Sequence, residues 1–117
     1  VSPEAAAIRE AHEEISLNPA LVTPIGRLPD YLTGSGYKIT PILAQIAPEA
    51  QFVANPEEVE AVFEVPFSHL MNLENHKRES RVWQGAERYF YTISHVDRYI
   101  WGVTAGIIHM MHERLYR

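Results

Sequence analysis

The sequence predicts an α+β or α/β fold, with a mixed sheet covered by helices on both faces. Three observations carry this expectation. Helical patterns open and close the chain. Short apolar, β-branched runs lie between them, separated by Gly- and Pro-containing turns. The 117 residues are 46% apolar and 21% charged, the balance of one soluble globular domain.

The first helix is expected over residues 3–16. Ser2 suits the N-cap, Pro3 the first helical position and Glu4 the positive end of the helix dipole. Leu17 to Ala20, with Asn18-Pro19, reads as a turn. Residues 21–28 and 37–47 read as strands, separated by the flexible turn Leu32-Thr33-Gly34-Ser35-Gly36. Residues 48–57 form a loop. Residues 58–65 alternate (Val59, Ala61, Phe63, Val65) and read as a strand ended by Pro66, and Phe67 to Leu73 as a short helical turn. Residues 79–83 and 87–93 form a hairpin about Gln84-Gly85. Residues 98–115 carry Ile100, Val103, Ile107, Met110 and Met111 at helical spacing. All eight prolines lie at or before residue 66, so none interrupts that helix. The chain opens at Val1 on a helix cap with no initiator Met, which predicts a portion of a larger domain, incomplete at its N-terminus.

Composition narrows the function classes. Ten Lys plus Arg against fifteen Asp plus Glu give a net charge of −5, the wrong sign for a general phosphate-backbone binder. No run approaches the ~18 apolar residues of a membrane span. Without cysteine there is no disulfide framework or thiolate metal site, which fits a reducing, cytoplasmic compartment.

The strongest chemical signal is Arg9-Glu10-Ala11-His12-Glu13-Glu14-Ile15-Ser16-Leu17. At ~100° per residue, Glu10, Glu13 and Glu14 share one stripe of a helix, while Ala7, Ile8, Ala11 and Ile15 take another face. Glu10 and Glu14 form a like-charge i,i+4 pair that costs a few tenths of a kcal/mol, with no Lys to relieve it. Mg²⁺ or Mn²⁺ would reverse the sign of that term, since hard cations seek carboxylate oxygens. On spacing alone, a solvated Glu-rich face is the better reading.

The string resembles the second half of the Nudix box, Arg-Glu-apolar-any-Glu-Glu-any-Gly-apolar. Arg9, Glu10, Ala11, Glu13, Glu14 and Leu17 match, while Ser16 stands where the family carries Gly. The first half of the box would precede Val1, so the resemblance makes residues 1–117 the C-terminal portion of one Nudix domain, starting inside the box. It implies a Nudix α/β/α sandwich and a diphosphatase using Mg²⁺ or Mn²⁺. It makes Glu10, Glu13 and Glu14 metal ligands, with Glu10 also beside the attacking water and Arg9 orienting the glutamates. A further acidic ligand from a later loop falls on Glu58, with Glu57 second. A surface turn accounts for those two almost as well.

From Leu17 to Tyr116 the chain looks like the coenzyme A pyrophosphatase subgroup. The pieces are Gly26-Arg27-Leu28-Pro29, Thr33-Gly34-Ser35-Gly36-Tyr37-Lys38-Ile39-Thr40-Pro41, Asn55-Pro56-Glu57-Glu58-Val59, Val62-Phe63-Glu64-Val65-Pro66 and Ile100-Trp101-Gly102-Val103-Thr104-Ala105. The resemblance implies cleavage of coenzyme A to 3′,5′-ADP and 4′-phosphopantetheine, with Ser35, Tyr37 and Thr40 as substrate contacts. It implies a small-molecule partner, neither nucleic acid nor membrane, and leaves a homodimer open. Other readings remain: a Nudix hydrolase of ADP-ribose or a dinucleotide, or a non-catalytic nucleotide-binding Nudix domain. Tyr37 fits a strand flank better than an adenine platform, and Trp101 and Thr104 fit core packing. The six histidines (12, 69, 76, 95, 109, 112) show no zinc-ligand grouping, and His109 with His112 reads as surface. His76-Lys77-Arg78 with Arg81 and Arg88 could meet a 3′-phosphate, though a solvated hairpin edge is the simpler account.

Overall fold

A computed structural model describes residues 2–116; Val1, where the expected helix entry begins, and Arg117 lie outside the described residues. The chain combines helices and strands as the α+β expectation requires, in two compact units, Val1–Glu64 and Val65–Arg117. No helix among the described residues is long and apolar enough to cross a membrane.

In the first unit, helix α1 spans Pro3–Ile15. The Ser2 hydroxyl accepts the Ala5 N–H at 3.0 Å, satisfying one of the free donors of the first turn. A single 3₁₀ turn, Pro19–Leu21, follows with Asn18 as its cap. Strand β1 (Val22–Arg27) then pairs antiparallel with β4 (Ile42–Ile46), which lies beyond two shorter strands. The register shifts between Pro24 and Gly26, so Ile25 is bulged out and 65% exposed. Strands β2 (Tyr31–Leu32) and β3 (Lys38–Ile39) form a two-rung ribbon.

The strand expected over 37–47 is therefore two strands. The break falls at Thr40-Pro41, because Pro41 lacks an N–H and restricts the residue before it. The Pro41 carbonyl instead accepts the Leu28 N–H at 3.0 Å. The apolar side of α1 lies against this sheet. Ala7, Ile8, Ala11, Leu17, Val22, Ile42, Ala44 and Ile46 line a small apolar cavity of about 150 Å³.

The strand expected over 58–65 is absent among the described residues. Glu58 and Val59 both donate their amides to the Asn55 carbonyl, drawing the start of the segment into a turn. Alternation alone does not make a strand; the backbone needs a ladder partner.

In the second unit, α2 (Phe67–Leu70) and a 3₁₀ turn (Leu73–Asn75) follow Pro66, and together they cover the expected helical turn. Strands β5 (His76–Trp83) and β6 (Ala86–His95) form the hairpin, with Gln84 at φ 52° and Gly85 at φ 75°. Positive φ at both loop residues matches the right-handed twist of the strands.

The expected helix 98–115 begins only at Gly102. Residues Arg98–Trp101 are strand β7, antiparallel to β6, and α3 spans Gly102–Leu115. Gly102, at φ 65°, turns the chain from strand to helix. Ile100 thus belongs to the sheet. Ile93, Thr92, Ala105 and Met111 form the buried centre of this unit.

His109 and His112 are not plain surface residues. The His109 ring stacks on Tyr91 at a 3.8 Å centroid distance, its Nδ1 lies 2.9 Å from the Nδ1 of His76, and its Nε2 is 3.0 Å from Glu113. Burial holds the His109 imidazole below its usual pKa.

A fork joins α1 to β1. The Arg27 Nε donates to Glu4 Oε2 at 2.5 Å and its Nη2 to Oε1 at 2.9 Å. Chiefly through the Arg27 hydrogen bond, the Glu4 carboxyl falls from 4.5 to about 2. The depressed folded-state pKa means the unfolded chain takes up the proton first. The contribution of the fork is therefore present above pH 4.5 and lost as pH falls toward 2. Denaturation curves of wild type and Glu4→Gln should differ at about pH 6 and converge near pH 2. A difference that persists unchanged in acid would show that the fork does not contribute to folding through ionised Glu4.

Candidate functional site

Helix α1 presents Arg9, Glu10 and Glu13 to solvent and leaves Glu14 half-buried. Arg9 Nη2 lies 3.8 Å from Glu10 Oε1 with both side chains more than half exposed, a contact worth little energy.

The helix ends at Ser16, which adopts φ 58° and ψ 27°, the left-handed conformation that favours glycine. This is the position where the resembled motif carries Gly, and its preference there has a backbone cause. The Ser16 N–H bonds the His12 carbonyl at 3.1 Å and the Leu17 N–H bonds Ala11 at 3.4 Å.

A distant loop caps the remaining carbonyls. The Val53 N–H donates to Ile15 O at 2.9 Å and the Asn55 N–H to Glu14 O at 2.8 Å. The Asn55 side-chain amide donates to Glu13 O at 3.4 Å, while its Oδ1 accepts the Glu57 N–H at 3.2 Å. Asn55 thus holds the turn carrying Glu57 and Glu58 against the end of the helix that carries Glu13 and Glu14. Glu57 and Glu58 are exposed.

The expected substrate contacts lie on the β2–β3 ribbon and its flank. In its tight turn the Thr33 N–H donates to Tyr37 O at 2.9 Å, and Gly36 takes φ 92°. The Thr33 and Ser35 hydroxyls are 3.0 Å apart, and Tyr37 is 71% exposed. Thr40 donates to Asp30 Oδ1 at 2.9 Å. These hydrogen bonds run within the ribbon and its flanks, and none reaches α1 or the 53–58 loop.

Among the described residues no three His, Asp or Glu side chains stand together as a ready metal cage. The donor set nevertheless fits a hard divalent cation in kind: carboxylate oxygens on one helix stripe, near a second acidic turn. Magnesium keeps several waters and is held by one or two carboxylates plus substrate phosphates, so an open stripe suits it better than it suits zinc.

The NUDIX domain model matches residues 1–89. The chain belongs to the Nudix family. It is also similar to proteins named uncharacterized Nudix hydrolase NudL. The Enterobacter sp. (strain 638) protein is 37% identical over 112 residues. Those of Escherichia coli O7:K1 and Shigella boydii serotype 4 are each 36% identical over 104 residues. In each case the match covers 89% of this chain and 54% of the relative, so the chain spans about half the length of the curated relatives it matches.

For this Nudix chain, sequence reasoning found the glutamate stripe but not the role of Asn55. The available signal was Asn55-Pro56, an Asn placed to cap a turn before a Pro. Asn55→Ala should destabilise the fold by about 1 kcal/mol, the usual loss for a side chain that caps free backbone groups. Urea denaturation measures the loss, and an unchanged midpoint would remove Asn55 from its place at the helix end.

Proposed function

We propose that this Nudix chain is part of a divalent-metal-dependent hydrolase that splits the diphosphate of coenzyme A, in the cytoplasm, giving 3′,5′-ADP and 4′-phosphopantetheine. The observation that carries the reading is the backbone docking of the Asn55–Glu58 turn on the carboxyl end of the glutamate helix. It sets the turn that carries Glu57 and Glu58 against a helix end that carries Glu13 and Glu14, where the dipole disfavours negative charge. A bound divalent cation would offset that cost, since hard cations seek carboxylate oxygens. Family membership and relatives named Nudix hydrolase support the hydrolytic class. Coenzyme A as substrate rests on the segments from Gly26 to Pro66 and Ile100 to Ala105.

Bound Mg²⁺ or Mn²⁺ would supply charge neutralisation of the diphosphate and acidification of a water. Glu13 and Glu14 would hold the cation, with Glu58 as the outer ligand. Glu10 accepts the proton of the water that attacks phosphorus, and the bond to the bridging oxygen breaks. Arg9 keeps the Glu10 carboxylate turned along the helix. Ser35, Tyr37 and Thr40 are the proposed substrate contacts.

Glu13→Gln and Glu14→Gln should each keep the fold and lose most turnover, with the metal-free protein slightly stabilised as repulsion is relieved. A lost charged hydrogen bond to the 3′-phosphate is worth ~1.5–3 kcal/mol. Coenzyme A should therefore be cleaved with kcat/KM roughly ten- to a hundredfold above dephospho-coenzyme A. Product analysis over a panel of diphosphates with Mg²⁺ or Mn²⁺ checks both. Wild-type turnover in the two Gln variants overturns the metal ligands, and a preference for ADP-ribose overturns the substrate.

A further inference from the structure

In the second unit an unbroken run of short polar contacts joins the α2–β5 junction to the end of α3. His76 opens β5, and its Nε2 lies 2.6 Å from the Leu70 carbonyl oxygen. Its Nδ1 lies 2.9 Å from the Nδ1 of His109 on α3. The His109 Nε2 in turn lies 3.0 Å from Glu113 Oε1. The run has an acceptor at each end, two imidazoles in the middle, and three gaps of hydrogen-bond length.

Each gap needs one proton. The Leu70 carbonyl only accepts, and so does the Glu113 carboxylate. Two neutral imidazoles carry one N–H each, which leaves one of the three gaps without a proton. With both end contacts made, the two Nδ1 lone pairs would face each other at 2.9 Å. A third proton removes the conflict, and the surroundings decide which ring takes it. Burial holds the His109 imidazole below its usual pKa; Glu113 pulls it up, while His76 and His112 push it down. From β6, Tyr91 stacks on His109. His112 of α3 meets the His76 ring at a 5.8 Å centroid distance. Arg78, on the His76 face of β5, lies over the Tyr89 ring, and His69 of α2 turns to the Ser94 carbonyl. Arg114 shares with His109, His112 and Glu113 the rim of an open concavity of about 560 Å³.

We propose that the His76–His109 pair holds one extra proton between its Nδ1 atoms, a proton-gated fastening of α3 to the α2–β5 junction. His76 is the imidazolium and donates from both nitrogens, to Leu70 and to His109. His109 stays neutral, accepts at Nδ1 and donates from Nε2 to Glu113. Raising the pH removes the third proton and leaves one gap empty. Glu113 is the partner that lets go, because its side chain is 65% exposed and that of His109 only 15%. His109 then carries its remaining proton on Nδ1, the bond to His76 is kept, and the carboxylate turns to water. Acid strong enough to charge both rings sets two N–H groups head to head. The fastening is complete only with one extra proton aboard. It uses none of the residues proposed for diphosphate cleavage and stands whether or not that reading does.

Long-range ¹H–¹⁵N NMR of the 117-residue chain with labelled histidine counts these protons, and His76→Gln and His109→Gln assign the two rings. At about pH 6.5, where a free imidazole is half protonated, protons are expected on both nitrogens of His76 and on Nε2 of His109. Glu113→Gln is the decisive variant. Its side-chain amide donates to His109 Nε2, so two neutral rings then fill every gap. The position is exposed, so the variant should keep the wild-type Tm. Its third proton should leave at a pH at least about one unit lower, a roughly tenfold weaker hold. Neutral His109 should carry its proton on Nδ1 in the variant and on Nε2 in wild type. A plain ion pair with Glu113 would instead put the imidazolium at His109, beside a neutral His76. That pattern overturns the shared proton. So do two neutral rings at about pH 6.5, or a folded Glu113→Gln chain with the wild-type tautomer and the wild-type release.

Discussion

The first unit depends on how the carboxyl end of α1 is finished. Helix ends leave their last carbonyls without partners, and here the amides of Ser16, Leu17, Val53 and Asn55 take four of them. Two of those donors are local and require a left-handed Ser16; the other two come from a loop almost forty residues on. The same end carries Glu13 and Glu14, negative side chains at the negative pole of the helix dipole. Amide donors offset some of that cost. The bonds that complete the helix also hold the turn of Glu57 and Glu58 at this end.

What was legible in the sequence was local. Ser2-Pro3 marked the start of α1, and Gln84-Gly85 marked the hairpin turn, because each works through its immediate neighbours. The stripe of Glu10, Glu13 and Glu14 was legible for the same reason: one helix sets its spacing. What stayed hidden depends on partners far along the chain. Residues 58–65 alternate like a strand but have no ladder among the described residues. Ile100 fits a helical stripe, yet β6 recruits its segment and Gly102 delays the helix. His109 reads as surface until Tyr91 and His76 close over it. The Arg27 fork on Glu4 and the docking of Asn55 are of the same kind.

Like charges stand side by side on the glutamate stripe of α1 and where Arg81 faces Arg88 in the hairpin. Neither arrangement helps the fold, and each could be relieved by one substitution. The two differ in how the surrounding structure treats them. The glutamates sit on a helix whose end is tied down by backbone bonds. The arginines sit among exposed aromatic rings on a sheet face.

The sequence distances spanned by these contacts differ widely. The β5–β6 hairpin closes through two residues, and such ribbons form in roughly 1–10 μs. The Asn55 side chain meets Glu13 across 42 positions, so its docking carries a larger loop-closure entropy. The amides of Val53 and Asn55 donate outside the β1–β4 ladder, so opening the turn breaks no rung of that sheet. The acidic turn is thus fastened to the helix end by bonds of its own, apart from the ladder that pairs β1 with β4.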